Sequence, residues 1–222
     1  MNDPDLQSPQ RPKPPRTFSR TLILALPLHV LAAILIVGGS AAFYGTSLSG
    51  HGTWATVGGW SLTALYVVIA LIGGTVAGIL DAAQQTVERL ELILREWLHT
   101  LPRMGTAAAP VGRTIPAIRQ EYETVLDQFV TRAGAQFRLP RWLEKLIRSV
   151  LRGVVVDRFI ASCTERGLTL VAPQEFRNWL LAEGVSLGFM LVHDQLSWWR
   201  YLVLGLLGLL VAIALALALF TV

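Results

Sequence analysis

Three uncharged runs of more than 20 residues, at 22–44, 54–80 and 201–221, constrain this chain more than any other feature in it. At a rise of 1.5 Å per residue, a helix of about 20 apolar residues covers the roughly 30 Å of bilayer hydrocarbon. A water-soluble protein of 222 residues has little reason to carry three such runs, and the 53% hydrophobic and 15% charged composition fits a membrane protein. The expected fold class is therefore an all-α membrane protein: three transmembrane helices with an α-helical cytoplasmic domain inserted between the second and third spans. The expected divisions are a flexible basic N-terminal tail at 1–20, helices at 21–44 and 54–80, an outward loop at 45–53, the cytoplasmic domain at 81–198 and the last span at 199–222.

Charge sets the expected direction of each crossing. Of the 19 Lys and Arg residues, Arg11, Lys13, Arg16 and Arg20 precede the first span and the rest lie between Arg89 and Arg200. The 45–53 loop and the chain's last residues have none. By the positive-inside rule, the N-terminus and 81–200 face the cytoplasm, and the loop and the C-terminus face outward. A bacterial-type inner membrane is the expected location. The net charge of +4 is thus a topology signal and not a nucleic-acid footprint, because acidic residues are interspersed throughout 81–200. The first apolar run is long for a signal-peptide core, so it is read as a retained span.

The second span does not stop where its charge-free stretch ends at Asp81. Val76, Leu80, Ala83, Val87, Leu90, Leu94, Trp97 and Leu101 continue at alternating steps of four and three, the seam of a heptad helix. No Pro or Gly lies between Gly78 and Leu101 to break it. A membrane helix is therefore expected to run on as a stalk whose seam (Val87, Leu90, Leu94, Trp97, Leu101) meets a partner in the same chain or another subunit. Ile115, Ile118, Tyr122, Val125 and Phe129 repeat the spacing after a loop, with Thr114 and Pro116 as a helix start. Together they predict an antiparallel helical hairpin.

Small residues mark where helices approach closely in lipid. Gly74 and Gly78 form one G-x-x-x-G pair, Gly184 and Gly188 a second, and Gly208, Ala212 and Ala216 line one side of the last span. These are the expected helix-packing positions. In 138–163, Leu143, Ile147, Val150 and Val154 share one helical face, with Arg141, Lys145, Arg148 and Arg152 opposite and Trp142 beside them. A basic amphipathic helix of this kind is expected either to touch lipid headgroups or to cover a bundle core.

The sequence carries no recognisable catalytic constellation. The P-loop, G-x-S-x-G and H-E-x-x-H motifs are all missing, and the single Cys163 reads as a structural thiol. Glu96 and His99 make one E-x-x-H where a di-iron bundle needs two. Ser49 and His51 lack a carboxylate and sit on a short turn. His29, below Pro27 in the first span, reads as a packed histidine, and Asp81, His193 and Asp194 as interface charges ending helices. No catalytic residue, metal or cofactor is expected. The expected function is that of a non-enzymatic membrane scaffold or accessory subunit, with a subunit of an oligomeric channel or transporter as the alternative. Its expected partners are membrane lipids and other membrane-protein subunits or a second copy of itself, with no nucleic acid.

Overall fold

The computed structural model describes residues 17–48, 52–100, 113–168 and 170–221. Among these the chain is almost entirely helical. Helix α1 (Phe18–Ala33) runs through Pro27 into a π-helical turn, Ile34–Gly38, and on into α2 (Gly39–Ser47). Helix α3 (Thr53–Thr100) then continues for 48 residues without a break. Strand β1 (Arg113–Thr114) leads into α4 (Ile115–Phe137). Helix α5 (Arg141–Val150), a second π turn at Leu151–Val156 and α6 (Asp157–Glu165) follow as one rod. Strand β2 (Leu170–Val171), α7 (Pro173–Trp179), a third π turn at Leu180–Gly184 and α8 (Val185–Thr221) complete the order. Three of the resulting helical rods are long and apolar enough to cross a membrane.

Local chemistry accounts for the ends. Gly52, with φ at 106°, takes the left-handed conformation that opens α3, and its carbonyl accepts from the Thr56 amide. Pro116 occupies the first turn of α4, where its missing N–H costs nothing. Arg138, at φ 53°, turns the chain out of α4, and Pro140 starts α5. Gly167, at φ 68°, closes α6 while the Leu168 amide reaches back to the Cys163 carbonyl, as in a Schellman cap. Strands β1 and β2 pair antiparallel, Arg113 with Val171 and Thr114 with Leu170. Two-residue strands leave no periodic signal in the sequence.

The long helices pack as antiparallel neighbours in constant register. From Leu26 against Gly78 to Gly45 against Gly59, the first rod advances 19 residues while α3 steps back 19. Along α3 from Arg95 to Gly73, the facing position on α8 moves from Ser186 to Leu207. This second pairing passes from the polar end of the molecule into the apolar end without interruption. Helix α3 thus runs on through 80/81, as its heptad seam predicts, α8 likewise runs through 198/199, and α1 starts at Phe18. Helix ends follow caps and breakers, and charge alone does not stop a helix.

Two cores result. The apolar end holds a small one of Ala33, Val37, Ala41, Tyr66, Ala70, Leu207 and Ala214. The polar end holds a large one in which Val87, Leu90 and Leu94 of α3 are buried with Leu126, Phe137, Leu143, Phe176 and Phe189. Trp97 stacks obliquely on Phe129 with ring centroids 5.6 Å apart. Leu101 lies outside the described residues. The stripes of α3 and α4 thus share a core, but they do not form a simple hairpin. The backbone of α4 packs closest to α5 and the Leu151–Val156 turn.

Candidate membrane-boundary site

The helix continuity places a polar ladder between α3 and α8 where the apolar runs end. Arg200 Nη1 lies 3.0 Å from Asp81 Oδ1 and donates to Gln84 Oε1 at 3.2 Å. Gln84 Nε2 donates to Ser197 Oγ at 2.6 Å, and Gln85 Nε2 to Asp81 Oδ2 at 3.0 Å. Gln84 is buried, so both ends of its amide must be satisfied, and α8 supplies both partners. Farther from the apolar end, Glu91 and Arg95 pair at 3.0 Å, and Arg95 Nη2 reaches Ser186 Oγ. The ladder ties the two rods in one register. A one-residue slide would unpair the buried amide and the ion pair together.

Asp81, His193 and Asp194, expected as interface charges that end helices, lie inside the continuous α3 and α8 and do not cluster. Asp81 is taken by Arg200, His193 Nδ1 stands 4.0 Å from Glu88, and Asp194 is exposed. Sequence reasoning misses Gln84, Ser197 and Arg200 as a unit because their separations exceed 110 residues.

The small residues divide into two groups. A Cβ on Gly74 would stand 2.8 Å from Val30 Cα, and one on Gly78 2.9 Å from Leu26 Cα, so both glycines let α3 touch the α1 backbone. Gly45 and Gly59 make a second close approach, and Thr63 Oγ1 donates to the Ala41 carbonyl beside it. Gly188 admits Leu151 and Val155, and Gly184 admits Trp179. On α8, by contrast, Gly208, Ala212 and Ala216 face outward, and the buried side of that helix carries Leu207, Ala214 and Ala218. Among the described residues no helix packs directly on this stripe. Beside it, α1 and α8 enclose a cleft of about 270 Å³ lined by His29, Ala32, Ala33, Gly74, Ala77 and Gly208 among others. His29 Nδ1 lies 2.9 Å from the Ala25 carbonyl oxygen, which can only accept, so the ring proton sits there.

The basic helix needs correction. Leu143, Ile147, Leu151 and Val155 point inward, and Val150 and Val154 are only half-buried. The π turn at Leu151–Val156 adds backbone to the turn and keeps a strict four-residue step on one face, which an α-helix would rotate away. Arg148 and Arg152 do not present a free basic face. Both converge on Asp127 of α4, Arg148 Nε at 3.4 Å and Arg152 in closer contact. Arg141 and Lys145 stay exposed without a carboxylate partner among the described residues, next to the part-exposed Trp142.

Glu96 and His99 are exposed, and among the described residues no group of three His, Cys, Asp or Glu side chains is placed to hold a metal ion. Ser49 and His51 lie outside the described residues. Cys163 is buried, and its thiol is pushed up by burial first and by the Glu175 charge second. No protein-family model, curated protein or solved structure matches this chain.

Proposed function

We propose that this chain is a non-enzymatic integral membrane protein that acts as a scaffold or accessory subunit. Its three long helices cross a bacterial-type inner membrane. The N-terminus and the helical domain lie on the cytoplasmic side and the C-terminus outside, as the distribution of Lys and Arg favours. The observation that carries the reading is the division among small residues. Gly74 and Gly78 are consumed within the chain, and Gly208, Ala212 and Ala216 are left open toward the surroundings of α8. In lipid, burying leucine gives no advantage, so a stripe of small residues is the surface on which a further helix packs. The stalk seam offers no such surface, since Val87, Leu90 and Leu94 are filled from within.

The test is cysteine crosslinking at Ala212 in a Cys163→Ser background, in native membranes. The expected result is a crosslinked band, either a dimer of this chain or an adduct with another subunit, that disappears when Gly208 is replaced by Leu. Only monomer, at every oxidant concentration, would overturn the reading. The second reading, a subunit of an oligomeric channel or transporter, draws on His29 at the wall of the α1–α8 cleft. It requires ion flux in vesicles containing the protein and loss of that flux in His29→Ala; without flux it is finished.

A further inference from the structure

A groove of about 640 Å³ opens where α5 meets the α3–α8 pair. Its walls are Val76, Ile79 and Leu80 of α3, Trp142, Lys145 and Leu146 of α5, and Gln195, Leu196 and Trp199 of α8. Height along the rods sets its chemistry. The Asp81–Arg200 pair marks the level where charge begins on both helices. At 1.5 Å per residue, Val76 lies about 7.5 Å from Asp81 toward the apolar end, and Gln195 about 7.5 Å from Arg200 toward the polar end. The groove therefore straddles the boundary over roughly 15 Å. Its apolar end opens beside helices bearing outward Leu71 and Ile72, and its other end carries Lys145 and the Gln195 amide. Two indoles, Trp142 and Trp199, stand between, the side chain that prefers the junction of hydrocarbon and headgroup.

Charge complementarity narrows the occupant. Of the nearby carboxylates, Asp81 is held by Arg200, Glu144 turns away from the groove onto Gly134 of α4, and the exposed Asp194 does not line it. Lys145 at the rim and Arg141 one turn earlier keep their charges unpaired among the described residues. With Arg148 and Arg152 turned to Asp127, Lys145 is the cation that lines the groove, and Arg141 lies one turn away. A basic rim over an apolar slot between membrane helices is the arrangement that retains a phospholipid with an anionic headgroup. We infer that this groove is a binding site for one anionic phospholipid, an acyl chain lying along Val76, Ile79 and Leu80 and the headgroup phosphate at Lys145. The inference rests on the bilayer placement proposed above and does not depend on any partner subunit.

The experiment uses the full chain, extracted in mild detergent, stripped of lipid and titrated with dioleoylphosphatidylglycerol or dioleoylphosphatidylcholine under native mass spectrometry. The expected result is a saturable single adduct with phosphatidylglycerol at a lower lipid concentration than with phosphatidylcholine. Lys145→Gln should weaken the phosphatidylglycerol adduct by about fivefold and leave phosphatidylcholine unchanged. Ile79→Trp, which fills the slot, should abolish both, and Trp198→Ala, outside the groove, neither. Equal binding of the two lipids, or an unchanged preference in Lys145→Gln, would overturn the inference. Each variant is first checked for native helicity and for flotation with vesicles after an alkaline wash. Wild-type protein that fails to float removes the bilayer placement itself, and the groove inference with it. Protein that floats but retains no lipid removes the groove inference alone.

Discussion

The two ends of this molecule are held together by different means. At the apolar end, the most apolar stretches of the three long helices bury only 22%, 33% and 17% of their residues, and most of what is buried there is small, Ala33, Ala41, Ala70, Ala77, Gly74 and Gly78, beside the larger Val37, Tyr66 and Leu207. At the polar end the buried side chains are large, with Phe176 against Tyr122 at 3.7 Å and against Phe159 at 4.6 Å. On the bilayer placement proposed above, the difference is one of solvent. Water drives leucine and phenylalanine inward at about 25 cal/mol per Å² of apolar surface, and hydrocarbon does not. In the apolar end, close backbone approach and a few hydrogen bonds such as Thr63 to Ala41 replace bulk as the cohesive term.

Substitutions can break this contrast. The largest effect is expected for Phe176→Ala, which empties the centre of an aromatic cluster and should cost about 3–5 kcal/mol, read as thermal unfolding in mild detergent. Arg200→Gln should follow at about 1.5–3 kcal/mol, because it leaves Asp81 and the buried Gln84 without their charged partner. Gly74→Ala should cost about 1–3 kcal/mol, since the added methyl meets backbone of α1 that cannot swing aside. Gly205→Ala, with open space around it, should leave the unfolding midpoint unmoved. Leu209→Ala, on the outward side of α8, should change stability by less than about 0.5 kcal/mol. If that leucine instead proved as costly as a core residue, the two ends would be built alike and the contrast would fail.

The smallest effect is chemical. Because the Cys163 thiol is pushed up, its thiolate forms only at pH above the usual thiol range, and maleimide labelling of folded protein should be slow at neutral pH. Denaturant should bring the rate to that of a free thiol. Fast labelling of the native protein would place Cys163 outside the large core.

Some of this was legible in the sequence and some was not, for identifiable reasons. The three long helices and the inward face of Val87, Leu90 and Leu94 follow from run length and a 3-4 spacing, both local properties. The π turns have no residue signature, so helical spacing points the inward face of α5 to Val150 and Val154, where Leu151 and Val155 are the buried pair. The α3–α8 ladder depends on side chains more than 110 residues apart. Pairing across that distance is a property of packing, which periodicity does not encode. Small-residue spacing located close contact at Gly74 and Gly78 but could not say which stripe is satisfied at home. Gly208, Ala212 and Ala216 look the same on paper and end up facing out.

Helix α3 is a single helix of 48 residues. It is a rod of roughly 70 Å with no joint at the charge boundary, and α8 is laced alongside it. A tilt of its apolar half is therefore carried toward the Leu90 and Leu94 layer. The molecule has no slack between the half that feels the surrounding medium and the half packed with aromatic rings.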